Sequence, residues 1–232
     1  GAGVQSSALA LMAAKGEIKP MPDCAIFADT GWEPPHVYKF LDWLEGQLPF
    51  PVHRASKGNI RDDLAASLGS KRCASIPFFT ESKNGGGLMR RQCTNEYKVQ
   101  PIIQKTRELL GLKHRQRAKG KVAVNMWIGI SLDEIIRMKD NRETWITNRW
   151  PLIEQNMNRN DCLKWMEKNG YPRPEKSSCV GCPYHDDKTW REMKLNRPDE
   201  WVDAVEIDDM IRGGVRGTKE KLYLHRSLQP VS

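Results

Sequence analysis

Between Cys24 and Ile130 short apolar runs alternate with segments of helical period, and most runs end in a turn bearing glycine or proline. Cys24–Ala28 reads as a buried strand ending at Asp29-Thr30-Gly31. Val37–Leu48 carries an apolar face of period 3.6 behind Pro34 and Pro35, and Val52–Ala55 is the next strand. Asn59–Leu68 is the next helix, with Gly69 as its stop. Residues 69–87 have no period, and Asn84-Gly-Gly-Gly87 reads as a hairpin or loop. Val99–Leu110 is helical and Val122–Ile130 has strand character. Ser131-Leu-Asp-Glu134 then has the form of a capping box for a helix over Asp133–Met138.

This alternation predicts an α/β fold with a doubly wound, mostly parallel sheet. No apolar run precedes the first helix, Ala8–Lys15, so the first strand is expected upstream of Gly1. From about Trp150 the pattern changes to helices over Asn158–Lys168, Asp186–Leu195 and Pro198–Ile211, with no clear strand. The expected division is an α/β nucleotide-binding domain over 1–150 and a helical, cysteine-bearing part over 151–232.

Three motifs carry chemistry. Gly1-Ala2-Gly3, then Gln5-Ser6-Ser7 opening a helix, is a phosphate-cradle arrangement. Glycines let backbone approach an anion, and helix N-terminal amides and serine hydroxyls donate to it. The plainer alternative is an ordinary helix start. Asp29 and Thr30 fall at the carboxyl end of a strand, where doubly wound sheets hold ligands. There Asp29 either positions a ligand or caps the next helix, and Trp32 either stacks on a base or fills a gap.

The third motif is Cys179-Val-Gly-Cys182-Pro. Tight thiol pairs of this kind bind zinc or an iron–sulfur cluster, or perform dithiol redox chemistry. Cys93, in the basic string Arg90-Arg91-Gln-Cys-Thr-Asn-Glu-Tyr-Lys98, and Cys162 would complete four thiolates for a [4Fe–4S] site, with zinc as the alternative metal and His185 as a substitute ligand. Cys162 reads equally well as a small buried side chain. Cys24 reads as core, and Cys73 is ambiguous.

The net charge of +8 favours anionic partners or a well-solvated surface. The segment Lys113–Lys121 concentrates that charge. No run of about 18 apolar residues is present, and no leader pattern opens the chain. The chain is therefore expected to be cytoplasmic, with no membrane partner.

Longer strings add a resemblance. Gly-Ala-Gly-Val-Gln-Ser6, Phe27-Ala-Asp-Thr-Gly-Trp-Glu-Pro34, Gln92-Cys-Thr-Asn-Glu-Tyr-Lys98, Gly129-Ile-Ser-Leu-Asp-Glu134 with Arg137, and Cys179-Val-Gly-Cys-Pro-Tyr-His185 resemble the phosphoadenosine phosphosulfate (PAPS) reductase-like family. That family belongs to the adenine nucleotide α-hydrolase, or PP-loop ATP pyrophosphatase, superfamily, and the likeness is to a branch of small, often phage-borne members. It covers nearly the whole chain. It implies that Gly1, Ala2, Gly3, Gln5, Ser6, Ser7, Asp29, Thr30, Gly31, Gly129, Ser131 and Arg137 hold ATP or a PAPS-like nucleotide, with magnesium as a companion ion. Asp29, Arg91 and Lys98 are the implied catalytic groups, and Cys93, Cys162, Cys179 and Cys182 the implied cluster ligands.

The implied reaction is attack at an adenine nucleotide's α-phosphate, coupled through a [4Fe–4S] cluster to sulfur transfer or reduction. The partners would be a sulfur or electron donor protein and a DNA or RNA acceptor. Three departures stand out: Gly1, Ala2 and Gln5 replace the usual Ser, Gly and Asp of the loop. The alternative reading is a nucleic-acid-binding module that keeps the fold, with a structural iron–sulfur or zinc site.

Overall fold

The computed structural model describes residues 1–68, 75–82, 85–113, 116–118, 123–215 and 220–232. The elements are α1 (Val4–Ala14), β1 (Ala25–Asp29), α2 (Pro35–Gln47), β2 (Val52–Ser56), α3 (Ile60–Ser67), β3 (Phe79–Ser82), β4 (Gly85–Leu88), α4 (Gln100–Leu109), β5 (Val124–Trp127), β6 (Ile146–Arg149), α5 (Pro151–Glu154), α6 (Arg159–Lys168), α7 (Asp187–Asn196), α8 (Pro198–Ile211) and β7 (Leu222–Tyr223). A π-helical turn, Asn95–Val99, leads into α4, and a 3₁₀ segment, Leu132–Arg137, follows β5.

The architecture is mixed α/β. Among the described residues the strands form three small sheets: β1 with β2, the order β4-β3-β7, and β5 with β6. The β5–β6 pair is parallel, whereas β3 pairs antiparallel with both β4 and β7. Contacts divide the chain into two compact units. The first comprises Gly1–Phe27, Pro35–Arg54 and Gln104–Ser177; the second comprises Ala28–Pro34, Ala55–Ile103 and Ser178–Ser232.

In the first unit α1 is apolar on most of its circumference and buries Val4, Ala8, Leu11 and Met12 together with Leu152, Cys162 and Met166. A helix with so broad an apolar surface belongs inside a unit rather than on it. Burial of a side chain such as Leu11 contributes about 1.5–3 kcal/mol. The helix α6 starts at a capping box: Asn158 Oδ1 accepts from Asp161 N–H at 3.0 Å, and Asp161 Oδ2 accepts from Asn158 N–H at 3.0 Å. A cap of this kind stabilises a helix by about 1 kcal/mol.

In the second unit α3, α7 and α8 gather around Trp32, Phe78, Trp190, Met193, Ile207 and Leu222. Buried Asp208 on α8 accepts from Leu224 N–H at 2.8 Å and Val231 N–H at 3.2 Å and pairs with Arg212, which ties the C-terminal segment to the helix.

One local expectation changes. Ser131 starts a 3₁₀ segment, not an α-helix, because its hydroxyl donates to Asp133 Oδ1 at 2.7 Å instead of capping. Of the two alternatives for the glycine-rich stretch after residue 84, the hairpin agrees with the antiparallel pairing of β4 to β3. Gly69 and Cys73 lie outside the described residues, as does part of the basic segment Lys113–Lys121.

Candidate functional site

In the first unit the chain enters α1 through Gly3, which is extended at φ −90° and ψ 175°. Ser7 N–H closes the first helical turn on the Gly3 carbonyl at 3.0 Å. The N–H groups of Gly3, Val4, Gln5 and Ser6 therefore have no partner inside the helix, as at any helix start. No acidic residue sits in this first turn. The Ser7 hydroxyl is fully buried with no hydrogen-bond partner among the described residues.

Gly129, just beyond β5, lies flat against this start. A Cβ there would stand 2.9 Å from Ser6 Cα and 3.0 Å from Ser6 N and Oγ, so glycine alone fits without a shift. Gln5 is fully engaged. Its Nε2 donates to Glu134 Oε2 at 3.2 Å and to Ser131 Oγ at 3.4 Å, and its Oε1 accepts from Arg159 Nη1 at 2.8 Å. Arg137 pairs with Glu134 and is otherwise largely exposed. Nothing in the sequence singled out Glu134 as a partner of Gln5, or Arg159 at all. The Ser131 hydroxyl, with help from Arg159, holds the Asp133 carboxyl below its ordinary range. Asp133, Asn158, Arg159, Asn160 and Leu163 line a shallow open depression at the start of α6.

In the second unit Asp29 closes the turn after β1, its Oδ1 accepting from Gly31 N–H at 2.8 Å. Gly31 takes φ +70°, and a Cβ there would meet Asn59 Cα at 2.8 Å. Its neighbour Thr30 accepts at its carbonyl from Ile60 N–H and places Oγ1 3.2 Å from Cys179 Sγ. Lys98 Nζ meets Glu33 Oε1 at 3.3 Å, and the Glu33 carboxylate is buried. Burial works against the Lys98 charge, but Glu33 and the sulfurs of Cys179 and Cys182 outweigh it and hold the ammonium above its ordinary value. Arg91 stacks on the Tyr184 ring at 4.9 Å. Trp32 is core and not a stacking platform: it is 4% exposed, and its Nε1 donates to Asp203 Oδ2 at 2.5 Å.

Cys179–Cys182 is a tight turn, with Cys182 N–H on the Cys179 carbonyl at 3.2 Å. Val180 N–H binds the Trp32 carbonyl at 2.9 Å. His185 Nε2 lies 3.0 Å from both the Cys179 and Val180 carbonyls, so this nitrogen carries the proton and donates. That bond removes Nε2 from use as a metal ligand. Gly181 sits under the Trp32 ring, where a Cβ would come within 2.2 Å of Cη2.

These placements correct the expected metal centre. Among the described residues no group of three His, Cys, Asp or Glu side chains is arranged to hold a metal ion, which contradicts both the [4Fe–4S] cluster and its zinc alternative. Cys162 is fully buried among Leu11, Leu152 and Met166 in the first unit, and burial pushes its thiol up to about 11. Cys93, Cys179 and Cys182 belong to the second unit. There Cys179 faces Thr30, its thiol pushed up to about 12 by burial and then by Glu33. Cys182 accepts a backbone hydrogen bond from Tyr184, while burial raises its thiol. Cys179 and Cys182 each meet a protein group, Thr30 Oγ1 and the Tyr184 N–H respectively. The cluster-dependent mechanism falls with the cluster.

The remaining expected nucleotide-site residues divide as the contacts do. Gly1, Ala2, Gly3, Gln5, Ser6, Ser7, Gly129, Ser131 and Arg137 belong to the first unit, and Asp29, Thr30 and Gly31 to the second. Among the described residues no helix is long and apolar enough to cross a membrane. Comparison of the chain with protein-family models, with curated proteins and with solved structures finds no match.

Proposed function

We propose that the chain is a PP-loop-type enzyme of the PAPS reductase-like kind, which binds the phosphates of an adenine nucleotide at Gly1–Ser7 and works at the α-phosphate. The observation that carries this reading is the bare start of α1. A glycine stands at the cap, no acid lies in the first turn, and the Ser7 hydroxyl is buried without a partner. Helix dipole and unpaired N–H groups together favour an anion at such a position.

The close packing of Gly129 on Ser6 supports the same reading, because it brings a second stretch of backbone to the loop without a side chain in between. Gln5 binds Glu134 and Arg159 through its amide, so it braces the loop and contributes no charge to it. With this goes a doubly wound, adenine nucleotide α-hydrolase-like arrangement, favoured by the parallel β5–β6 pair and the succession β1, α2, β2, α3.

The chemistry is attack by an acceptor oxygen or by water on the α-phosphorus, with pyrophosphate leaving. The loop's part is to hold the departing phosphates on backbone N–H groups, which stabilises the charge that builds there. The test is release of pyrophosphate from ATP by the purified chain, followed with and without candidate acceptors. Turnover supports the reading, and ATP that neither binds nor turns over contradicts it.

A further inference from the structure

We propose that Cys179 and Cys182 form a redox dithiol, which closes to an intramolecular disulfide by exchange with an external disulfide. The proposal is independent of nucleotide binding and rests on the second unit alone.

The turn brings the two cysteine backbones within disulfide range without any metal. A hydrogen-bonded four-residue turn keeps its end Cα atoms within about 7 Å. A disulfide spans about 4.4–6.8 Å between Cα atoms. Here Cys182 N–H on the Cys179 carbonyl closes that turn, and His185 N–H on Cys182 O at 3.0 Å closes the next. Val180 N–H on Trp32, the two carbonyls held by His185, and Gly181 pressed to the Trp32 ring fix the backbone from three sides. The backbone needs nothing from the sulfurs, which are left with one weak partner each. Both residues are only partly buried, while their thiols are largely desolvated, so exchange is expected to be slow.

The two thiols are not equivalent. Burial raises the Cys182 thiol, but its Sγ accepts from Tyr184 N–H and lies near the positive charges of Arg91 and Lys98, which partly offset that. Cys179 faces the Glu33 carboxylate, which disfavours its thiolate. The order of events follows. The Cys182 thiolate attacks one sulfur of the external disulfide, forms a mixed disulfide and expels the first thiolate. Cys179 then gives its proton to the second departing thiolate as its sulfur attacks Cys182 Sγ. One S–S bond is broken and one formed; two electrons and the two protons of the dithiol pass to the external disulfide, leaving two thiols.

The test uses the full chain, equilibrated across ratios of reduced to oxidised dithiothreitol, quenched with an alkylating agent and digested with trypsin. Cleavage at Lys176 and Lys188 puts both cysteines on one peptide, while Cys93 falls on the separate peptide 92–98. Peptide 177–188 should become two hydrogens lighter and lose both alkylations. Its oxidised-to-reduced ratio should change tenfold for each ~30 mV, as a two-electron couple requires. A Cys93→Ser chain should titrate identically. The proposal is overturned if both thiols stay alkylatable throughout, if peptide 177–188 instead cross-links to 92–98, or if the pair is alkylated only after a chelator is added.

Discussion

Two helix starts in the first unit meet the same physical problem in opposite ways. At α6 the unpaired N–H groups are covered by the protein itself: Asn158 and Asp161 form a reciprocal box, and Asp133 Oδ1 accepts from Arg159 N–H at 2.9 Å. At α1 the cap is glycine, the first turn has no acid, and the one hydroxyl buried there has no partner. Helix starts gain about 1 kcal/mol from a polar cap, so a start without one forgoes stability. The difference is that the start of α6 is closed by protein groups, whereas the start of α1 lacks such a cover, which is what the proposed anion site requires.

Substitutions sharpen or break this contrast. The largest effect is expected from Gly129→Ala, which drives a methyl into Ser6 backbone at 2.9–3.0 Å. Thermal or denaturant unfolding should show a loss of about 1–3 kcal/mol, and ATP affinity should fall at least tenfold. A tolerated alanine would mean that Gly129 does not shape the loop. Next is Asn158→Ala, which removes the side-chain cap of α6 and leaves Asp133 and Asp161 in place. Stability should fall by about 1 kcal/mol with ATP binding unchanged; a loss of binding instead would move the anion site toward α6.

The subtlest is Ser7→Ala. Removing a buried hydroxyl that has no partner should raise the stability of the nucleotide-free chain by about 1 kcal/mol and weaken ATP binding at the same time. Equal affinity in the two chains would make Ser7 an unsatisfied core residue and nothing more.

Much of the fold was legible because its helices announce their starts. Asn59, Asn158 and Asp186 each precede a periodic apolar segment, and each accepts a backbone N–H as an N-cap. The choice between hairpin and loop at β3–β4 stayed open because Gly85, Gly86 and Gly87 carry no alternation of side chains. Strand β4 is held by backbone pairing, and Gly87 passes close to Thr80 Oγ1, 2.7 Å from where a Cβ would be.

The loop at Gly1–Ser7 and the turn at Cys179–Cys182 were legible from residue type and spacing. The metal centre was misread because spacing counts thiols without weighing burial. Cys162 and Met166 are one helical turn apart on the apolar face of α6, a period that marks core, and that signal was present in the sequence. Trp32 was ambiguous for a different reason: the residue that buries it, Gly181, is far away in the chain.

The most direct measurement is ATP binding by calorimetry to the native chain and to Gly3→Asp, with unfolding measured on both. Gly3 has the extended backbone that a capping aspartate adopts, and a Cβ there would meet Ser177 Cβ only at 3.9 Å, an ordinary contact. The substitution gives α1 the closed start of α6. Stability should hold or rise by roughly a few tenths of a kcal/mol, while the new carboxylate occupies the anion position and abolishes ATP binding. Native-like ATP affinity in a stably folded Gly3→Asp chain would contradict phosphate binding at the start of α1.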